Sequence, residues 1–198
     1  MRLRLPLLLG ALVLGPTLAA VSPPESAQAS IATAATLEGL VSGAQVVALA
    51  EPESSESQWE GGRIMTYTKL RVLERLGGDA PEHVWVKSLG GMVGKIGQAV
   101  EGEPVFPKGT RTMVFLRRIV DPTHPDVHLV VARGQGAYPL VQEKSRWTVR
   151  APMHLGTIIP RSKHMSTVPA MAKLAGRPFD DVALEVRALW TEVHAQKK

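Results

Sequence analysis

The sequence predicts a mainly β, α+β domain: a small OB-like barrel or sandwich of six to seven strands, with a short N-terminal helix and a C-terminal amphipathic helix. Three observations carry this expectation. Residues 63–74, RIMTYTKLRVLE, alternate with period two over a long stretch. Further short β-type runs follow at 83–89 and 111–118 and three times between 127 and 150, separated by Gly, Pro and Asp turn signals. The tail then changes period, placing Val182, Val186, Leu189, Trp190 and Val193 on one helical stripe.

The elements are justified in chain order. Arg2 and Arg4 precede the apolar run LPLLLGALVLG, and PTLAA follows. That is the order of a secretory signal, and the run is shorter than the roughly 20 apolar residues that span a bilayer. An uncleaved anchor is the rival reading. Cleavage is expected between Ala19 and Ala29, where TLA and AQA offer small residues. Residues 1–29 are thus assigned to a signal peptide, 30–35 to a flexible leader, 36–150 to the barrel-like domain, 151–179 to an irregular connection and 180–198 to the tail helix. The expected location is the periplasm or the medium, with no stable membrane insertion after cleavage.

Thr36 is a good N-cap for a helix at 36–42, ended by Gly43. AQVVALA gives a buried strand at 44–50, and EPESSESQWEGG reads as a polar, acidic loop. In the alternating run, Ile64, Thr66, Thr68, Leu70 and Val72 are expected on the core face, with Met65, Tyr67, Lys69, Arg71 and Leu73 on the other. HVWVKSL and TRTMVFLRR are the next strands. VHLVVAR, GAYPLV and RWTVR are three more, with Gly134 and Gly136 bracketing a bulge or bend. VPAMAKLAG offers one helical turn, and Asp180 or Asp181 caps the tail helix.

Composition excludes several chemistries. The chain has no cysteine, which removes lipidation after the signal, disulfides and cysteine-ligated zinc. The net charge of +5 becomes +4 after loss of Arg2, Arg4 and Glu25. The basic residues are dispersed and not interleaved with aromatics, unlike a nucleic-acid surface. No nucleic-acid partner is expected; an envelope or extracellular protein, or an anionic polymer, remains compatible, and the oligomeric state is open.

SLGGMVGKIGQ, residues 88–98, resembles a phosphate loop at first sight. The P-loop needs four residues between its first glycine and the Gly-Lys pair, then Ser or Thr. Gly90 leaves three residues before Gly94, Gly91 leaves two, and Ile96 stands at the hydroxyl position. The following QAVEGEPVFPKG is broken by Gly102, Pro104 and Pro107, so no helix N-terminus is available for a phosphate. The segment reads as a connection between strands, where loops at a barrel mouth often bind ligands. Candidate ligand residues are therefore Trp59, Gly90, Gly91, Gly94, Lys95 and Gln98. No cofactor is implied.

His124 and His128 are the metal candidates, separated by Pro125, Asp126 and Val127. On a strand such a pair shares a face but lies roughly 13 Å apart, so convergence on one ion needs a sharp turn at Pro125–Asp126. Exposed loop histidines are the simpler reading. No GxSxG is present. Glu51 with Glu53 and Glu101 with Glu103 lie in polar segments, and Trp59, Trp85 and Trp147 suit packing as well as stacking.

Four stretches occur together: WEGGRIMTYTKLRV (59–72), SLGGMVGKIGQ (88–98), GEPVFPKGTRTMVFL (102–116) and VVARGQGAYPL (130–140). As a set they resemble a family of uncharacterised exported bacterial β-rich domains, over about residues 36–150. The strand order is also similar to the OB-like barrel of tissue metalloproteinase inhibitor and netrin modules, although those domains are cysteine-rich. The resemblance implies the barrel and brings no residue role. The expected function is an exported, non-catalytic binding or envelope-associated protein. The alternative is an extracytoplasmic hydrolase, metal-dependent through His124 and His128.

Overall fold

A computed structural model describes residues 31–122, 124, 126–159 and 168–195. The signal peptide expected over 1–29, with its cleavage sites, lies outside the described residues. Strand β1 (Ile31–Thr33) leads to helix α1 (Leu37–Gly43), β2 (Val46–Glu60), β3 (Arg63–Gly77), β4 (His83–Leu89), β5 (Gly91–Val93), β6 (Ile96–Gln98) and β7 (Thr112–Arg118). Strand β8 (Val127–Val130), a 3-10 turn at Arg133–Gly136, β9 (Ala137–Glu143), β10 (Arg146–Val149) and β11 (Thr157–Ile159) follow. The chain ends in α2 (Ala170–Leu174) and α3 (Phe179–Ala195). Among the described residues no helix is long and apolar enough to cross a membrane.

Five strands close on themselves. β2 pairs with β3, β3 with β4, β4 with β8, β8 with β7, and β7 returns to β2. Within the barrel all ladders are antiparallel except β4–β8, which is parallel. This is an OB-like barrel, as the sequence leads one to expect. β9 and β10 extend the sheet outward: Thr112–Val114 of β7 pair with β9, while Leu116–Arg118 pair with β8. The 3-10 turn carries the chain from β8 to β9, and Ala132 and Arg133 there take positive φ angles of 54° and 55°. The expected bend at Gly134 and Gly136 is this turn.

The largest departure from the sequence reading is residues 51–60. They are not a loop but the second half of β2, and they pair with β3 to the end, Glu60 opposite Arg63. Gly61 and Gly62, at φ 53° and 79°, make the two-residue turn of a hairpin, where two positive φ angles match the strand twist. Register shifts at Val47/Ala48, Leu49/Ala50 and Pro52/Ser54 bend β2. Only residues 46–50 of β2 pair with β7, so Pro52 interrupts no second ladder. The hairpin therefore outreaches the barrel.

Two cores sit on either side of the β2–β7 wall. Inside the barrel, Val46, Ala48, Leu70, Val84, Val86, Val114 and Leu116 form a small-residue core. Outside it, Val47, Met113, Phe115 and Tyr138 meet Leu37, Leu40 and Val41 of α1 and Val182 and Val186 of α3. Thr36 caps α1 by accepting the Gly39 N–H at 3.0 Å. On α3 the apolar stripe is arranged as expected, Val182 and Val186 buried and Leu189, Trp190 and Val193 packed at the edge of the same core.

The leader and the irregular connection also gain structure. Ile31–Thr33 pair in parallel with Thr157–Ile159. The buried Gln135 fastens this pair to the barrel, accepting from the Ala35 N–H at 2.8 Å and donating to the Thr33 carbonyl at 3.1 Å. The possible helical turn in VPAMAKLAG is α2.

Candidate functional site

Beyond its last apolar layer the barrel interior turns polar. From Ser54 to Glu60 the β2 register is unbroken, so Ser55 and Ser57 share a face, opposite Thr68 and Thr66 of β3. Thr66 is in turn opposite Ser88 of β4. Leu70, Val84 and Val86, from the same faces of β3 and β4, belong to the barrel interior. The five hydroxyls thus line the barrel mouth, and the overreaching hairpin holds them there.

Their protons are largely assigned. Thr66 Oγ1 donates to the Gly90 carbonyl at 2.6 Å, so Ser57 Oγ donates to Thr66 Oγ1 at 2.8 Å and accepts the Met92 N–H at 3.4 Å. Ser55 and Thr68 share a bond of 3.1 Å. The Ser88 side chain, on a residue only 7% exposed, makes no hydrogen bond among the described residues. None of the five contacts a histidine or a carboxylate by hydrogen bond.

The opposite wall comes from residues 98–106. With Leu89, His154 and the hydroxyls they enclose a cavity of about 480 Å³, in the size range of small-molecule sites. Val100, Pro104, Val105 and Phe106 make this wall apolar, and Phe106 packs down onto the barrel interior. The cavity is mostly apolar with one hydroxyl-lined side. Glu103 closes its back: one carboxylate oxygen accepts the Leu89 N–H at 3.1 Å, and the other pairs with Arg133 Nε at 3.2 Å.

Three of the six sequence-predicted ligand residues line this cavity: Gly90, Gly91 and Gln98. Gly91 has φ 131°, and a Cβ there would lie 2.1 Å from Thr66 Oγ1 and 2.5 Å from Ser57 Oγ. Only glycine lets the chain cross the hydroxyl pair so closely. Gln98 Oε1 accepts the Ile64 N–H at 2.8 Å, fixing the strap to β3. Gly94 and Lys95 form the turn of the small β5–β6 hairpin and do not line the cavity. Trp59 shares the face of Ser55 and Ser57 but sits nearer the turn, half exposed, outside the lining. Ser55, Ser57, Thr66, Thr68, Ser88, Glu103 and Phe106 are absent from the sequence-based candidates. The alternation S-x-S and T-x-T at positions 55–57 and 66–68 was the available signal, concealed once 51–60 was read as a loop.

The metal candidates diverge. His124 lies against two rings, stacked on Trp85 at 5.0 Å and tilted over Tyr67 at 4.6 Å, and its Nε2 faces Glu56 at 3.1 Å. His128 is not an exposed loop residue: it is in β8, 4% exposed, with Nδ1 unpartnered. Burial holds its pKa below the usual histidine value, helped by the nearby Arg118 charge. Among the described residues no group of three His, Asp or Glu side chains is arranged to hold a metal ion.

A second polar cluster occupies the outer face of β3 and β4. Tyr67 faces away from the barrel interior as expected, yet it is fully buried, with the His124 ring 4.6 Å from its own and Asp121 at its hydroxyl. Its hydroxyl donates to Glu60 at 2.5 Å and lies 3.2 Å from Asp121. Lys87 Nζ bridges Glu60 at 2.6 Å and Asp121 at 2.8 Å. Burial works against the Lys87 charge, but the bonds to Asp121 and Glu60 outweigh it and raise its pKa. Bonds from Lys87 and Tyr67 hold the Glu60 carboxyl below its ordinary range. The cluster ties the turn end of the β2–β3 hairpin, through Glu60, to Lys87 of β4 and to Asp121.

Comparison with protein-family models, curated proteins and solved structures finds no match for this chain.

Proposed function

We propose that this chain is an exported, non-catalytic binding protein that holds a small amphipathic molecule in the mouth of its barrel. One observation carries the reading: a preformed cavity of about 480 Å³ with hydroxyls on one side and Val100, Val105 and Phe106 on the other. An apolar body against the 98–106 strap, with a hydroxyl, carbonyl or amide turned toward Ser88, satisfies both walls. Burial of the apolar part supplies the affinity, and Ser88 supplies orientation. Export is supported by the Arg2/Arg4 charges and the apolar run after them. An envelope-associated role suits that setting.

Native mass spectrometry of the full-length gene product recovered from its host tests the reading. The expected spectrum shows a chain beginning between residues 20 and 30, with a small bound molecule that disappears in Ser88→Phe. An intact Met1 would contradict export. A ligand-free wild-type chain that also takes up no apolar probe would contradict the binding role.

A further inference from the structure

We propose that a groove in the seam between β4 and β8 binds a phosphate or carboxylate oxyanion carried on an apolar stem. The β4–β8 ladder has only two registered pairs, Trp85–Val127 and Val86–His128. Where the strands part, Lys87, Ser88 and Leu89 on one side and Leu129 and Val130 on the other border a groove of about 400 Å³. Ser88, Leu89, Glu103 and Pro104 line both spaces and form the partition between the groove and the barrel mouth. The groove adjoins the barrel mouth through that partition, but the residues that would hold the anion, Arg63 and Arg117, line the groove and not the mouth.

The charges of the groove do not cancel. Arg63, Lys87, Arg117 and Arg133 line it, against Glu103 alone. Lys87 is engaged by Glu60 and Asp121, and Arg133 is held by Glu103. Arg63 and Arg117 have no carboxylate partner among the described residues, so the surplus positive charge is theirs. Both are exposed at the rim, where guanidinium groups present paired N–H donors that match carboxylate and phosphate oxygens. Met65, Leu89 and Leu129 give the groove an apolar floor, which a bare inorganic anion would leave unused. None of the lining side chains is aromatic, so the base-stacking platform of a single-stranded nucleic-acid site is missing.

Titration calorimetry with hexyl phosphate and with inorganic phosphate, at low ionic strength, tests this assignment. The full chain, an Arg63→Gln/Arg117→Gln variant and a Lys144→Gln/Arg146→Gln variant are compared, the last removing the same charge from the β9–β10 turn. Saturable binding of hexyl phosphate is expected. It should weaken roughly tenfold or more in the groove variant, as loss of charged hydrogen bonds implies, and change little in the turn variant. Inorganic phosphate should bind more weakly than hexyl phosphate. Matching thermal melts of the two variants ensure that folding is not the cause. No saturable binding, equal loss in both variants, or inorganic phosphate bound as tightly as hexyl phosphate would overturn the proposal.

Discussion

Replacing Gly91 by alanine perturbs the binding wall at its closest approach, and Gly94→Ala provides the internal comparison. Gly94 has φ 61° and open space where a Cβ would go, so alanine there costs only the left-handed conformation, about 1–2 kcal/mol. Gly91, at φ 131°, lies outside that well, and its Cβ would enter both Thr66 Oγ1 and Ser57 Oγ. Backbone strain of about 1–3 kcal/mol and a similar overpacking cost together give roughly 2–6 kcal/mol. Taking the middle of each range, Gly91→Ala is expected to cost about 2–3 kcal/mol more than Gly94→Ala. Urea unfolding followed by intrinsic tryptophan fluorescence reads the difference as a lower midpoint at similar slope. If the two variants unfold together, or Gly94→Ala is the worse, β5 does not cross the hydroxyl pair as described.

Tyr67→Phe removes the hydroxyl bound to Glu60 and Asp121 and should cost about 1–3 kcal/mol in urea unfolding; a loss below about 0.3 kcal/mol would mean that the cluster does not depend on it. Because the Glu60 pKa is depressed, the stability it contributes is present above its unfolded value of 4.5 and is lost as pH falls through the lower folded value. An acid titration of wild type and Glu60→Gln should show this component in the wild type alone. For His128 the depressed pKa belongs to a base kept neutral by folding. The unfolded chain binds more protons below about pH 6.5, so stability falls as pH drops below that value; in His128→Leu this component should be missing, and an unchanged pH slope would refute the buried, neutral histidine. Trp190→Ala should cost about 2–3 kcal/mol, less than for a fully buried ring, because the indole is half-buried against Gly77 and stacked on His194 at 3.7 Å; wild-type stability in this variant would contradict that packing.

Elements whose chemistry is local were legible in the sequence. The Thr36 cap, the bounds of β4 and the α3 stripe follow from propensity and period, which the neighbouring structure reinforces. Residues 51–60 were not, because acidic and serine-rich composition resembles a loop when no face is apolar. Their alternation is polar on both sides: serines turn to the mouth, and Glu60 turns to Lys87. The Gly61–Gly62 pair was the turn signal, and heeding it would have placed Ser55 and Ser57 opposite Thr68 and Thr66. The burial of Tyr67 and His128 was missed for a different reason. Period two assigns faces but does not show that Asp121 and His124 lie over the outer face, or that β8 closes the seam. The pairing of 31–33 with 157–159 joins segments over 120 residues apart through three residues each, too few for a pattern to register.

The barrel-mouth site is tested most directly by titrating wild type and Ser88→Phe with N-phenyl-1-naphthylamine, an apolar probe that fluoresces on leaving water. Saturable one-to-one binding is expected for the wild type. The added ring of Ser88→Phe should fill the cavity and abolish it, with the cooperative melt retained. Val105→Trp, at the exposed rim, gives a second obstruction should Ser88→Phe fail to fold. Binding that persists undiminished in a folded obstructed variant, or no saturable binding by the wild type, would contradict the site.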